Sequence, residues 1–396
     1  MSKKIYCSIS NHFISKSVSN DKLNYQTYIK LLEYFDEVHI YGRTYEKKSY
    51  SKQDEESQIY MHYISVPKAF FLRYIYTIVS MFVKIFKDNK KFNFTIVDAS
   101  EPTTGGMIGI LLNVFLKKPF LLQIQGEMTR ISPQTDGLLR SLVSKYSTIF
   151  CSKFATKIRV VSHVIKTQLV EDGVEVSKIE VLAPRVNLEQ FDYTKYSDKP
   201  IKLKDEFKIE HDKKLFVCVG RLVPFKGIKY LIQACSFIDK NSFHLLIVGD
   251  GELKEDLEAL TRELGLQNNI TFVGKVDFVK VPYFMAGADF FILPSLDEGF
   301  GRVILESMAV KTLVLASKVG GIQDIIIDKE TGIFMDAANA NDISMKINEV
   351  LTMDKNKINK IIEKSYEIVH DNYEFNNSMN KFIKLYSGTI SKYENS

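Results

Sequence analysis

Three features of this sequence predict two α/β domains of Rossmann type: its length, a strand-then-helix rhythm that runs through it twice, and a polar connector between the two runs. At 396 residues the chain exceeds the roughly 100–200 residues of a single domain. Hydrophobic residues make up 45% and charged ones 26%, with 27 Phe and 20 Tyr against 9 Pro, which excludes a disordered, collagen-like or coiled-coil chain. Strands that alternate with helices imply parallel sheets wound by right-handed crossovers.

The first run opens on the β-branched and aromatic stretch Lys4–Ile9 and continues through Glu37–Tyr41, Phe92–Asp98, Phe120–Gln125 and Lys157–Val161, with longer helical stretches between. The second run is more regular, with strands at Leu215–Val219, His244–Val248, Ile270–Val273, Phe290–Leu293 and Thr312–Ala316. Asp192–Asp212 is polar, rich in Lys and Asp, and reads as the connector, so the domains are expected at 1–195 and 196–373. Two such domains put the expected active site in the cleft between them.

The net charge of +5 is a sum of opposites. Residues 1–200 carry 28 Lys and Arg against 20 Asp and Glu, a net of +8, while residues 201–396 carry 25 against 28, a net of −3. Any anionic surface is therefore expected to meet the first half. Cys7, Cys151, Cys218 and Cys235 have no paired short spacing, so reduced thiols are expected and neither a disulfide framework nor a zinc site is. Met1-Ser2-Lys3-Lys4 leads straight into a strand with no signal-peptide pattern, and the expected site of action is the cytoplasm.

One stretch of the basic half breaks the rhythm. Phe70–Phe86 is apolar except for Arg73, Thr77, Ser80 and Lys84, which with Lys87 fall in a stripe about 80° wide on a helix. Only ten uncharged residues separate Arg73 from Lys84, too few for the roughly 20 of a membrane span. Two readings stand: a fully buried core helix, or an aromatic and basic surface at 68–91 that docks on an anionic membrane, helped by Lys68, Lys90 and Lys91.

Specific chemistry begins after Leu215–Val219. Gly220 allows a sharp turn, and Arg221 and Lys226, five residues apart on the loop, can both reach one small polyanion, Arg as a fork and Lys as a point charge. After Phe290–Leu293 comes Glu298-Gly299-Phe300-Gly301, which opens a helix carrying Glu306, so bare N–H groups and the positive dipole end are available to an anion or to hydroxyls. Eight residues of helical ramp would separate the two carboxylates by about 12 Å, a spacing suited to gripping two parts of one ligand. Gly249-Asp250-Gly251 begins like a dinucleotide fingerprint but has Lys254 at the third glycine position, so hydride transfer is dropped. The seven His residues show no metal-ligand spacing.

Taken in order, these motifs resemble the retaining GT-B glycosyltransferases, the large nucleotide-sugar-dependent group with a Glu, seven residues, Glu signature. The likeness runs from about Lys214 to Phe334 and includes Gly220-Arg221-Leu222, Lys226-Gly227, Phe272-Val273-Gly274, Pro294-Ser295, Glu298-Gly299-Phe300-Gly301, Glu306-Ser307-Met308-Ala309, Gly320-Gly321 and Thr331-Gly332. In the first half it is thin, resting on Val181–Asn187. The resemblance implies the GT-B fold, with the helical 374–393 crossing back to the first domain. It implies that Arg221 and Lys226, beside Gly220, hold and stabilise the donor diphosphate, that Glu306 takes the ribose hydroxyls and that Glu298 lies beside the transferred sugar. The amides of Gly299, Phe300 and Gly301 would contact sugar and distal phosphate, and Lys275-Val276 the nucleobase. It implies retention of the anomeric configuration without a metal or other cofactor, and no Asp-x-Asp occurs in the chain.

The departures lie in the first half. No glycine precedes Gly42, and the loop after the first strand reads Ser10-Asn11-His12-Phe13. Gln125 stands where many members of the group carry His; it can line the reaction centre but cannot shuttle a proton. Asp98, Glu101 and Gly105-Gly106 are weaker candidates for acceptor contacts, with Asp98 favoured as structural. The expectation is transfer of a sugar from a nucleotide sugar, a UDP-sugar in the first instance, to a saccharide or lipid-linked saccharide in surface-glycan assembly, with no nucleic-acid partner. The alternatives are another GT-B enzyme, an epimerase or a phosphorylase, and a non-catalytic GT-B partner subunit.

Overall fold

The structure is a computed structural model that describes residues 3–13, 22–54, 56–68, 70–126, 138–196 and 199–395. It divides into two compact units, Met1–Ala183 with Asn376–Ser396, and Pro184–Phe375.

Unit 1 runs β1 (Ile5–Phe13), α1 (Lys22–Leu31), β2 (Glu37–Thr44), β3 (Tyr50–Gln53), β4 (Ile59–Ser65), α2 (Phe70–Phe92), β5 (Ile96–Ala99), α3 (Thr104–Leu116), β6 (Phe120–Ile124), α4 (Leu138–Phe154), β7 (Lys157–Val160), α5 (His163–Glu171) and β8 (Ile179–Val181). Its sheet has the order β3-β4-β2-β1-β5-β6-β7-β8, parallel except where β3 pairs antiparallel with β4. The edge strands β3 and β8, and β4 beside β3, are not among the strands read from the sequence. Ser10–Phe13 is not a loop as read: β1 runs on through it, with a register shift against β2 between Ile9 and Phe13.

Unit 2 runs α6 (Lys199–Glu206), β9 (Lys214–Val219), α7 (Ile228–Cys235), β10 (Phe243–Val248), α8 (Lys254–Glu263), β11 (Ile270–Gly274), α9 (Val281–Ala286), β12 (Phe290–Leu293), α10 (Arg302–Ala309), β13 (Leu313–Ser317), β14 (Ile333–Met335), α11 (Ala340–Leu351) and α12 (Lys355–Tyr373). All its pairings are parallel, in the order β11-β10-β9-β12-β13-β14. That is the doubly wound 3-2-1-4-5-6 arrangement, whose winding reverses between β9 and β12. The stretch read as a connector is built into this unit: α6 lies inside it, Gln190 donates to the Phe278 carbonyl at 3.1 Å, and the Phe191 and Tyr193 rings pack on Phe278 and Tyr366. These contacts explain why the division falls after Ala183. The last helix, α13 (Phe375–Glu394), joins unit 1 from Asn376 on.

Unit 1 buries polar groups within its sheet. Asp98 is 1% exposed, and its Oδ2 accepts from Tyr386 of α13 at 2.8 Å, from Gln123 at 2.7 Å and from the Tyr6 hydroxyl. Burial raises its pKa. A second group has a fixed direction. The Glu37 carboxylate can only accept, so His39 donates through Nε2 at 3.2 Å, His62 Nε2 donates to His39 Nδ1 at 3.0 Å, and Ser51 Oγ donates to His62 Nδ1 at 2.8 Å. Burial keeps both imidazoles neutral, lowering the pKa of His39 and that of His62 to about 3.

The fully buried reading of residues 70–87 does not hold. Thr77, Met81 and Ile85 of α2 face the core, while Ile75, Tyr76, Val79 and Val83 are exposed, Ile75 at 62%. The polar stripe is mixed: Thr77 is buried, bonding back to the Arg73 carbonyl, Lys84 pairs with Asp88 at 2.6 Å, and Lys87 is exposed. Among the described residues no helix is long and apolar enough to cross a membrane. All four cysteines are free and buried.

Candidate active site

The reversal of winding between β9 and β12 leaves the loops after these neighbouring strands side by side, where ligands of open α/β sheets bind. Backbone packing that only glycine permits fixes both loops. A Cβ on Gly249, at φ +144°, would stand 1.8 Å from the Gly220 carbonyl oxygen; one on Gly227, at φ +63°, would stand 2.1 Å from the Pro294 carbonyl oxygen. Leu296 N donates to the Phe225 carbonyl at 2.7 Å, which ties the β9 loop to the β12 loop. Gly249 N donates to the Gly274 carbonyl at 2.9 Å, which brings in the end of β11.

On this frame stand most of the residues singled out by the sequence. Gly220 leads from β9 into the loop, where Arg221 is exposed, its guanidinium carbon 5.5 Å from the Phe225 ring centre. Lys226 ends a short 3-10 turn, Pro224–Lys226, and its Nζ meets Glu298 Oε2 at 2.5 Å, with both side chains largely buried. Ser295 Oγ lies 3.4 Å from the same carboxylate oxygen, and the Glu298 carbonyl accepts from Gly321 N at 3.0 Å, which gives the Gly320-Gly321 pair its role.

Gly299 is half-buried, the Phe300 side chain is buried 6.0 Å from the Tyr373 ring, and Gly301 caps α10 at φ +92°. Because α10 begins only at Arg302, Glu298 precedes the helix, and the 12 Å expected along a continuous ramp does not apply. Lys275, exposed, and Val276 follow β11 directly.

Glu306, on the second turn of α10, is 5% exposed, and burial pushes its pKa up to about 7 against the opposing pull of Arg302. Arg302 Nε meets Glu306 Oε1 at 3.0 Å. Sequence reading passed over Arg302, although its i, i+4 spacing to Glu306 is the ordinary signal for such a pair.

Gln125 is not among the groups gathered in unit 2. It lies in unit 1, exposed, just past β6. Glu101 and Gly105-Gly106 serve the start of α3: Glu101 Oε2 accepts from Thr103 N at 2.7 Å and Oε1 from Gly105 N, and a Cβ on Gly106 would meet Cys151 Sγ at 2.9 Å. Among the described residues no group of three or more His, Cys, Asp and Glu could hold a metal ion.

The doubly wound sheet carries an Arg, a Lys and two Glu on the loops and helix that follow β9 and β12. The whole chain has the GT-B fold: it matches sucrose-phosphate synthase from Thermosynechococcus elongatus with a TM-score of 0.82 at 19% identity, over 98% of this chain and 100% of that one. Residues 201–368, which lie within unit 2, match the family Glycosyl transferases group 1. Among curated relatives, an uncharacterized glycosyltransferase of Methanocaldococcus jannaschii is 30% identical over 210 residues, 53% of this chain and 54% of that protein. The UDP-Gal:alpha-D-GlcNAc-diphosphoundecaprenol alpha-1,3-galactosyltransferase of Escherichia coli is 27% identical over 235 residues, 57% of this chain and 58% of that protein. The chain thus spans little more than half the length of these relatives.

Proposed function

We propose that the protein is a retaining, metal-independent glycosyltransferase that moves a sugar from a UDP-sugar to a lipid-linked saccharide in surface-glycan assembly at the cytoplasmic face of a membrane. The observation that carries this reading is the gathering of Arg221, Lys226, Glu298 and Glu306 where the winding of one sheet reverses. In the reaction the bond from the anomeric carbon to the diphosphate oxygen breaks, the acceptor oxygen bonds to that carbon from the same face, and its proton leaves with the diphosphate. Arg221 and Lys226 offset the charge that grows on the leaving group, the term that usually lowers such a barrier most. Glu306 accepts from the ribose hydroxyls, and Glu298 orients the sugar while holding Lys226 in place. The E. coli relative, whose name specifies UDP-Gal and a diphosphoundecaprenol-linked sugar, supports the choice of donor base and of acceptor.

The membrane part of the reading rests on unit 1. The exposed face of α2 carries Ile75, Tyr76, Val79 and Val83, with Lys87, Lys90 and Lys91 exposed toward its end. The neighbouring α3 adds exposed Val114 and Phe115. An apolar strip edged by cations suits the interface of an anionic bilayer.

The donor assignment is tested by calorimetric titration of UDP, GDP and ADP into the parent chain, Glu306→Gln, and the double variant Arg221→Ala with Lys226→Ala. Each variant is expected to lose nucleotide diphosphate affinity at least tenfold. Unchanged affinity in both would sink the assignment.

A further inference from the structure

Glu306 has a single charged neighbour among the described residues. The elements packed on α10, namely α9, α12 and β13, bring no charged group to its carboxylate, so burial and Arg302 alone oppose one another there. Arg302 is nearly half exposed, and it is anchored on its other side: its guanidinium carbon lies 5.7 Å from the centre of the Phe278 ring, within the range of a cation–π contact. Phe278 sits on the segment after β11, just beyond Lys275-Val276, and is itself held. Gln190 donates to its carbonyl at 3.1 Å, and the Phe191 ring packs edge-on at 5.8 Å. An unbroken run of contacts therefore leads from Gln190 and Phe191 through Phe278 and Arg302 to Glu306.

We propose that Arg302 is a positioning residue of the donor site: it fixes the Glu306 carboxylate for the two hydroxyls of a ribose and, seated on Phe278, ties that grip to the loop that receives the base. This rests on the donor-site reading above. An ionised carboxylate accepts from both hydroxyls, whereas a protonated one spends an oxygen as donor. With its pKa at about 7 even beside Arg302, Glu306 is poised between these states near neutrality, and loss of the guanidinium pushes it toward the protonated one.

The test is calorimetric affinity of the full chain from pH 6 to 9 for whichever of UDP, GDP and ADP binds it tightest. In the parent chain affinity should rise with pH through about 7 and then level off. Arg302→Met should move that rise up by about one pH unit or more, so that affinity at pH 7 falls roughly tenfold and recovers toward the parent's near pH 9. Arg302→Lys, which keeps the charge but not the fork, should restore most of the affinity at pH 7. The 2′-deoxy form of the same nucleotide should show less of the difference between parent and Arg302→Met. A loss of equal factor at every pH, or no loss, overturns the inference and leaves the donor site standing. A parent chain that binds none of the three nucleotides removes the donor site and this inference with it.

Discussion

Unit 2 keeps its candidate site at the ends of β9 and β12, on loops whose backbones touch, whereas unit 1 keeps polar groups inside the sheet and turns apolar side chains of α2 outward. In unit 2 the glycines carry the geometry, and of the charges at the site Arg221 and Arg302 reach the surface while Lys226, Glu298 and Glu306 are largely buried. In unit 1, Asp98 is enclosed by two tyrosines and a glutamine, His39 and His62 are enclosed in a one-way chain, and the exposed face of α2 bears Ile75, Tyr76, Val79 and Val83. Buried polar groups of this kind specify a fold; open charges on a rigid loop serve a ligand.

The contrast can be broken most sharply at glycine. Gly249→Ala places a Cβ on the Gly220 backbone and demands φ +144° of a residue that rarely adopts it, so unit 2 should lose about 4 kcal/mol or more, and nucleotide binding with it. Gly126→Ala in unit 1 meets nothing within 4 Å and should change stability by less than about 0.5 kcal/mol. Urea midpoints of the two variants that fell within error of each other would refute the glycine argument.

Acid should pull the His39–His62 pair of unit 1 and Glu306 of unit 2 in opposite directions. The pKa of His62 is lowered from 6.5 to about 3 in the fold, so the stability its neutral ring contributes is complete above pH 6.5 and is lost as pH falls toward 3. For His62 alone the loss between pH 7 and 5 is about 2 kcal/mol, and the lowered His39 adds to it in the same direction. The pKa of Glu306 is raised from 4.5 to about 7, so its contribution is complete below pH 4.5 and lost as pH rises through 7; going from pH 7 to 5 stabilises unit 2. Hydrogen exchange read by segment, corrected for intrinsic rates, should show protection falling in β2 and β4 and rising around α10. Movement of both in the same direction would contradict these assignments.

The smallest expected effect on stability is at the surface of α2. Ile75 and Val79 are 62% and 55% exposed, so replacing both with Ser should cost less than about 0.5 kcal/mol. The same double variant should no longer float with anionic vesicles, and Lys87→Glu with Lys90→Glu should behave likewise. Vesicle binding that survives both pairs of changes would remove the membrane from the proposed function.

Much of unit 2 was legible because its candidate site is written in short-range patterns: glycines at strand ends, an Arg and a Lys on one loop, a Glu on the second turn of a helix. What escaped there was pairwise, such as Arg302 over Phe278, where the partners are far apart in sequence. In unit 1 other strands were legible from their apolar runs, but β3 and β4 were not, since Tyr50–Gln53 is polar and mostly exposed and the His of β4 finds its partners on neighbouring strands, His39 of β2 and Ser51 of β3. The stripe Arg73, Thr77, Ser80, Lys84, Lys87 was a true pattern that the structure divides. Thr77 satisfies itself on the Arg73 carbonyl, so a helix-internal bond lets one polar residue of the stripe sit in the core while Val79 and Val83 face out.

The latch of Tyr386 on Asp98 has a consequence for how the molecule is made. Asp98 emerges from the ribosome long before Tyr386, with the whole of Pro184–Phe375 translated in between. At about 5–20 residues per second the 288 residues between them take roughly 15–60 s, during which the first sheet holds a carboxylate short of one of its donors while the inserted unit is free to fold. Unit 2 is thus placed to finish first, although it is begun second, and closure of unit 1 by α13 has to wait until unit 2 has been translated.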